Sequence, residues 1–166
     1  YYISVRYIKQ KEVSFKSMYE FFALAELMDF SFDGYKLKKM IESKLGNQRT
    51  VSFGVIYPLL TRMESSGLIT LEAASPDNGR ASKKAHITEK GRQKFYQLMT
   101  NPVPINQYTQ LFFEIKIGSF HLVTSENRQA VLSDYQSYVE GNVQHNDAWI
   151  EHLQNKKQLT ASDLAD

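Results

Sequence analysis

The 166-residue sequence contains no cysteine, only four prolines and a single tryptophan. Without cysteine, the chain can form neither a disulfide bond nor a thiolate metal site. It has no apolar run near the roughly 20 residues that a helix needs to cross a bilayer. No signal peptide with a cleavage site is visible, and Tyr1 is not expected to be the native first residue. These absences favour a cytoplasmic protein.

The sequence also lacks the motifs that identify an enzyme. Serine, histidine and acidic residues are present, but no nucleophile motif or glycine-rich phosphate loop places them together. His121, His145 and His152 raise the question of a metal site, yet no paired carboxylate or thiolate completes a ligand set. We therefore expect no catalytic activity, no cofactor and no bound metal.

What the chain does contain is a core-forming composition and an uneven charge. Hydrophobic residues make up 42% and aromatic residues 13%, which argues against disorder and allows one or two small domains. The net charge of +2 hides a division. Residues 1–100 hold 16 Lys and Arg against 10 Asp and Glu, whereas residues 101–166 hold 4 against 8. The basic N-terminal half favours a polyanionic partner.

Residues 51–69 predict a helix with one apolar stripe. Four apolar residues recur at helical spacing: Ile56, Leu59, Leu60 and Met63. Ser52 is a suitable N-cap, which frees the first N–H groups of the helix to point at an anion. Gly67 ends the helix, because glycine enters the left-handed conformation without a Cβ clash. The residues off the stripe are mostly uncharged and aromatic at the helix start, which favours a face that reads a DNA groove.

Pro58 lies inside this helix, where it removes a backbone donor at a cost of roughly 3 kcal/mol. Propensity alone would start the helix at Pro58. We expect the longer helix, bent in its first turns, since the strain is tolerable if it shapes a docking surface.

The residues after this helix predict a β-hairpin. Two stretches with strand character, 68–74 and 83–87, flank a cluster of turn residues at 75–80. Basic side chains lie at its tip and at the start of its return strand: Arg80, Lys83 and Lys84. A basic loop beside an anion-binding helix suits duplex DNA. An ordinary solvated hairpin is the alternative.

Three further helices surround this unit. The first covers 15–28, and the second begins at a cap, Ser31 or Asp33, and ends near residue 45 before a turn at 46–48. The third of them follows the hairpin at 89–99, capped by Thr88. Helix, helix, turn, helix and hairpin is the order of a winged helix-turn-helix.

The clearest boundary in the chain is the pair Pro102 and Pro104, because two prolines so close exclude a continuous helix. A helical pattern resumes at 106–118, and a long helix capped by Thr124 or Ser125 runs to about residue 157. Two helices cannot enclose a core by themselves. Tyrosine and tryptophan on the apolar side of the long helix therefore suggest pairing with another chain.

The string SFGVIYPLLTRMESSGLI at 52–69 closely resembles the recognition helix of the PadR family of bacterial transcriptional regulators. Upstream, DGYKL at 33–37 resembles that family's His-Gly-Tyr-Glu-Leu motif. Downstream, Gly79-Arg80 and ITEKG at 87–91 resemble its wing and post-wing signature. Four residues depart from the pattern: Asp33 replaces histidine, Ala81 replaces a common proline, and Lys84-Ala85 replace frequent aromatics. The resemblance is good over residues 19–99.

This resemblance implies a mainly α (α+β) fold in three parts: a tail or arm at 1–15, a winged helix-turn-helix DNA-binding domain with a β-hairpin wing at 16–100, and a C-terminal helical dimerisation domain at 101–166. It implies a repressor that binds a palindromic operator in double-stranded DNA as a homodimer. A small aromatic effector, such as a phenolic acid or drug-like compound, would relieve repression. The alternative is a winged-helix protein-interaction module without DNA binding.

Tyr57 is the strongest candidate for a DNA contact, because the family motif carries tyrosine there and a phenol can donate to phosphate. Tyr35 either reaches DNA or packs between the first helices. The basic residues would position the protein on phosphates. The full set of expected DNA-binding residues is Tyr35, Lys36, Ser52, Phe53, Val55, Tyr57, Pro58, Thr61, Arg80, Lys83 and Lys84.

An effector pocket is a further hypothesis, with dimer core as the alternative role for the same side chains. The aromatic and histidine residues concerned are Tyr108, Phe112, His121, Tyr138, His145 and Trp149.

Overall fold

The computed structural model describes residues 15–45, 50–77 and 80–162, so the expected turn at 46–48 and nearly all of the expected tail lie outside it. The elements in chain order are α1 (Phe15–Asp29), β1 (Phe32–Asp33), α2 (Gly34–Leu45), α3 (Phe53–Ser65), β2 (Ile69–Asp77), β3 (Arg80–Ile87), α4 (Glu89–Thr100), α5 (Thr109–Gly118), a short 3-10 helix (Phe120–Leu122) and α6 (Ser125–Ser162). A mainly helical chain with one small antiparallel sheet confirms the expected fold class.

The core is built around α1, whose sequence is apolar on nearly every side. Phe21 at its centre is fully buried and lies 6.2 Å from the ring of Phe95 in α4. The ring of Phe21 also stacks on the ring of Phe112 in α5, with 6.1 Å between the ring centroids. Although α5 follows the proline pair, it therefore shares one hydrophobic core with α1 and α4.

The start of α2 is fixed by Asp33, one of the two expected caps. Its carboxylate Oδ1 accepts a hydrogen bond from the backbone N–H of Lys36 at 2.8 Å, as an N-cap side chain does. Asp33 also belongs to β1, which pairs with β3 through Phe32 with Ala85 and Asp33 with Lys84. The sheet order is β1-β3-β2, so the hairpin is attached to the entrance of α2.

The predicted stripe of α3 is confirmed, since Ile56, Leu59, Leu60 and Met63 are all buried. Pro58 lies inside the helix, as expected for the longer helix. Ser52 stands at the N-cap position, but its side chain makes no capping hydrogen bond. Gly67 ends the helix region with φ 71°. The Leu68 N–H then donates to the Met63 carbonyl at 2.9 Å, which satisfies a carbonyl at the helix end.

The hairpin strands are longer than the sequence predicted. They pair from Ile69 with Ile87 out to Asp77 with Arg80, whereas a turn was expected at 75–80. The register shifts between Ala74 and Asp77. Pro76 lies in this interval and has no N–H for the ladder, which explains the irregularity.

Thr88 locks the base of the hairpin to α4. Its hydroxyl accepts from the Gly91 N–H at 3.1 Å, as predicted for the cap, and donates to the Gly67 carbonyl at 2.7 Å. Gly91 is the close approach in this joint, because a Cβ there would lie 2.2 Å from the Leu68 carbonyl oxygen. The end of α3, the start of β2 and the start of α4 are thus held together.

The C-terminal part combines one packed helix with one largely exposed helix. Tyr135 and Tyr138 of α6 lie against the ring of Phe113 in α5, at 5.1 and 5.5 Å. Beyond Tyr138, α6 continues for more than 20 residues with its described side chains exposed. Within the described residues, no helix is both long and apolar enough to cross a membrane.

Candidate nucleic-acid interface

Three aromatic side chains form an exposed stack where α2 and α3 begin. Tyr35 stacks on Phe53 at 6.4 Å and Phe53 stacks on Tyr57 at 5.6 Å, with interplanar angles of 20° and 22°. The three residues keep 54%, 39% and 55% of their surface exposed. We call Tyr35, Phe53 and Tyr57 the aromatic ladder. Because it is exposed apolar surface on adjacent helix starts, it is a candidate for contact with a partner.

Gly34 allows the two helix starts to approach each other. A Cβ at this position would lie 2.9 Å from Cε1 of Tyr57. The glycine of the DGYKL motif therefore seats the phenol of Tyr57 against the first turn of α2. Since Tyr57 is more than half exposed, it lies outside the core, as a DNA contact requires.

Three lysines of α2 place ammonium groups beside aromatic rings. Lys39 lies 4.7 Å from the ring centroid of Tyr35, and Lys38 lies 5.6 Å from that of Phe53. Lys36 lies 5.9 Å from the ring of Phe30. A hydrogen bond with the Tyr35 side chain raises the pKa of Lys39. Aromatic surface flanked by fixed positive charge can contact both the bases and the phosphates of nucleic acid.

Glu42 organises this surface, although the sequence analysis did not single it out. Its Oε1 accepts from Lys38 Nζ at 2.6 Å and from the backbone N–H of Val51 at 2.9 Å. These two hydrogen bonds, the Lys38 one being the stronger influence, lower the pKa of the Glu42 carboxyl group. The i,i+4 spacing of Lys38 and Glu42 was readable from the sequence. The contact with Val51 was not, because it depends on how the chain enters α3.

The outer face of α3 is nearly free of charge, as predicted. Ser52, Pro58 and Thr61 are exposed beside Phe53 and Tyr57, while Val55 is half-buried. The first charged side chain along α3 is Arg62, whose Nε lies 3.8 Å from Oε2 of Glu20 in α1.

The return strand of the hairpin carries two more exposed lysines. Lys83 and Lys84 are exposed, and Lys84 pairs in register with Asp33 at the entrance of α2. The side chain of Arg80 lies outside the described side chains. Of the expected DNA-binding residues that are described, all except Val55 are exposed: Tyr35, Lys36, Ser52, Phe53, Tyr57, Pro58, Thr61, Lys83 and Lys84.

The histidines considered as metal ligands lie apart. His121 Nε2 is 2.9 Å from Oδ2 of Asp29, and His152 stacks on Trp149 at 5.4 Å. In the described part of the chain, no group of three or more His, Asp or Glu side chains has the arrangement of a metal site.

The residues considered for an effector pocket are also dispersed within one chain. Phe112 is in the core against Phe21, Tyr138 packs on Phe113, and Trp149 is exposed on the far part of α6. A pocket that used all of them would need a different arrangement or a second chain.

Comparison with known proteins gives one family match. Residues 24–97, from the middle of α1 to near the end of α4, match the model of the transcriptional regulator PadR-like family. A search of the curated proteins finds no match.

Several solved structures are similar to this one. A PadR-like transcription factor from Bacteroides fragilis is 24% identical, with 50% of this chain and 78% of that chain covered and a TM-score of 0.45. Bacillus subtilis PadR in complex with operator DNA is 18% identical, with 75% and 69% covered and a TM-score of 0.48. The circadian clock associated protein Pex from Anabaena is 16% identical, with 49% and 71% covered and a TM-score of 0.44. With TM-scores below 0.5, these superpositions place no individual residue of this chain.

Proposed function

We propose that this chain binds double-stranded DNA and represses transcription. The match of residues 24–97 to the model of the PadR-like family of transcriptional regulators supports this proposal. The observation that supports this most directly is the aromatic ladder with its flanking lysines. It is exposed, held in place from α2, and joined through β1 to the lysines of the hairpin. B. subtilis PadR, a similar structure, was solved with operator DNA.

In the proposed complex, the start of α3 enters the major groove. The hydroxyl group of Tyr57 donates a hydrogen bond to a phosphate or a base edge, and Lys36 positions the protein on the DNA backbone. The other contacts come from α2, the outer face of α3 and the wing: Tyr35, Ser52, Phe53, Val55, Pro58, Thr61, Arg80, Lys83 and Lys84. Contacts to phosphate would weaken binding to all sequences alike when removed.

We propose that residues 101–166 serve as the dimerisation region, with α6 as its main element. Its exposed apolar residues recur at helical spacing: Leu132, Val139, Val143, Trp149, Ile150 and Leu153. A second copy of the same helix would cover this stripe. A symmetric dimer presents two α3 helices and so requires a palindromic operator with half-sites about one helical turn apart.

Relief of repression by a small aromatic compound, such as a phenolic acid or drug-like molecule, completes the proposal. Binding of an effector would favour a dimer in which the spacing of the two α3 helices no longer fits the operator. Because the candidate aromatic residues are dispersed within one chain, we place such a pocket between the two copies.

A gel-shift titration with the DNA upstream of the protein's own gene tests DNA binding. We expect affinity to fall steeply with salt and to be lost in the double variant Tyr57→Ala, Arg80→Ala. The matched control is Tyr96→Ala, Lys94→Ala, which removes an exposed tyrosine and a lysine from α4. Equal affinity of the two double variants would contradict this interface and favour a protein-interaction module.

A further inference from the structure

The exposed part of α3 carries none of the side chains that read bases through paired hydrogen bonds. From Ser52 to Thr61 the sequence has no Arg, Lys, Asn, Gln, Asp or Glu. These are the residues that recognise guanine, adenine or cytosine by their major-groove edges. Arg62, one position beyond, is engaged with Glu20 at 3.8 Å. The polar side chains that remain are the hydroxyl groups of Ser52, Tyr57 and Thr61. Because a hydroxyl group can hydrogen-bond with more than one kind of base, these side chains do not specify a base by themselves.

Phe53 occupies the first position of α3 and is held from several sides. Tyr35 and Tyr57 each stack with its ring, and Lys38 Nζ lies 5.6 Å from the ring centroid. Lys38 is itself held by Glu42 at 2.6 Å. The ring is therefore an exposed apolar group in a fixed position, with no donor or acceptor of its own. The major groove offers one apolar feature to such a group, the C5 methyl of thymine.

From this arrangement we infer that Phe53 contacts thymine methyl groups and makes the regulator select A·T pairs in the centre of each half-site. Tyr35 and Tyr57 hold the ring, and Lys36 of α2 contacts a flanking phosphate. The inference rests on the proposed function, because it requires α3 to lie in the major groove. Loss of one methyl contact should weaken binding about 3- to 10-fold.

Replacing thymine by uracil in the bound duplex tests the inference without altering the protein. The full chain is first used to select tight-binding duplexes from a randomised pool. Thymines of the selected duplex are then changed to uracil one at a time, which removes the methyl group and keeps every hydrogen-bonding group. We expect affinity to fall about 3- to 10-fold at one or two positions in each half-site. 5-Bromouracil at the same positions should restore it, because bromine has nearly the size of a methyl group.

The protein side of the test uses Phe53→Ala. This variant should bind the thymine and uracil duplexes equally and keep the salt dependence of the parent. The control is Tyr96→Ala, which removes an exposed aromatic side chain of α4 and should keep the discrimination. Circular dichroism of both variants verifies that they fold.

Several results would overturn the inference while leaving the proposed function intact. They are tolerance of uracil at every position, selection of guanine at the half-site centre, and discrimination that persists in Phe53→Ala. Salt-dependent binding without any enriched sequence would also overturn it. Failure to bind any duplex, even at low salt, would instead remove the proposed function and the inference together.

Discussion

Gly34 is the first residue of α2, and its Cα lies against the ring of Tyr57. The space between them holds a hydrogen atom but not a methyl group. Gly34→Ala should displace Tyr57, whose ring is exposed and can move, so the fold should lose little stability. DNA affinity should fall by about as much as in Tyr57→Ala, roughly 3- to 10-fold. Gel-shift titrations of the single variants and of Gly34→Ala, Tyr57→Ala form a double-mutant cycle. Losses that simply add would show that Gly34 acts on binding by another route.

Gly91 presents the opposite case, because its neighbour is backbone. A Cβ there would lie 2.2 Å from the Leu68 carbonyl oxygen, which cannot move without disturbing the start of β2. Gly91→Ala should therefore lower the free energy of unfolding by about 1–3 kcal/mol, measured by urea denaturation. Gly141→Ala in α6 is the matched control, since nothing lies within 4 Å of its added methyl. That control should stabilise the chain by up to about 1 kcal/mol; equal effects would exclude a clash at Gly91.

Some elements follow from the local sequence and others do not. The buried stripe of α3 and the Thr88 cap were predictable because a 3.6-residue period and a capping hydroxyl are local signals. β1 was not, because two residues have no period and become a strand only when β3 arrives beside them. The helix α5 was predictable from its local pattern, but its position was not, because the contact between Phe112 and Phe21 joins residues far apart in the sequence.

The candidate interface also has some features that local sequence predicts and others that depend on tertiary contacts. Exposure of Phe53 and Tyr57 follows from their place off the apolar stripe. Their stacking on Tyr35 does not, because it requires two helices from different parts of the chain to meet at Gly34. The extended wing strands were missed since Ser-Pro-Asp is typical of turns, and cross-strand pairing outweighs that preference here.

The joint between α4 and α5 contains a lysine whose burial makes stability depend on pH. Lys116 is 2% exposed and donates from Nζ to the Asn101 carbonyl at 2.6 Å. Burial lowers its pKa from 10.5 to about 8, against a smaller opposing influence of Asp134. Between these two values the unfolded chain binds the proton and the folded chain does not, so stability rises with pH. Below pH 8 both states are protonated, and the full penalty of the buried charge is present.

From pH 8 to pH 10, this lysine should raise the free energy of unfolding by about 2 kcal/mol. Lys116→Met removes the titrating group and keeps most of the side-chain volume, so it should lack this rise. Urea denaturation of both proteins at several pH values gives the difference, and other alkaline groups cancel in the comparison. Parallel pH profiles would mean that Lys116 keeps an ordinary pKa in the folded protein.

At the scale of the whole molecule, the exposed apolar stripe of α6 should determine whether two chains form a dimer, and so whether two α3 helices bind one operator together. Ile150→Asp places a carboxylate on the stripe, next to Glu151 on an already acidic helix, and should give monomers in sedimentation velocity. Gln144→Asp adds the same charge on the opposite face, by helical spacing, and should remain dimeric.

DNA binding should follow the oligomeric state, because linking two half-site contacts raises the affinity about 100-fold or more over one contact alone. Ile150→Asp should therefore lose most of its affinity for a palindromic duplex and little for a single half-site. Gln144→Asp should bind both as the parent does. A monomeric Ile150→Asp with parental affinity for the palindrome would show that each half-site is read independently and that dimerisation through α6 does not raise the affinity for DNA.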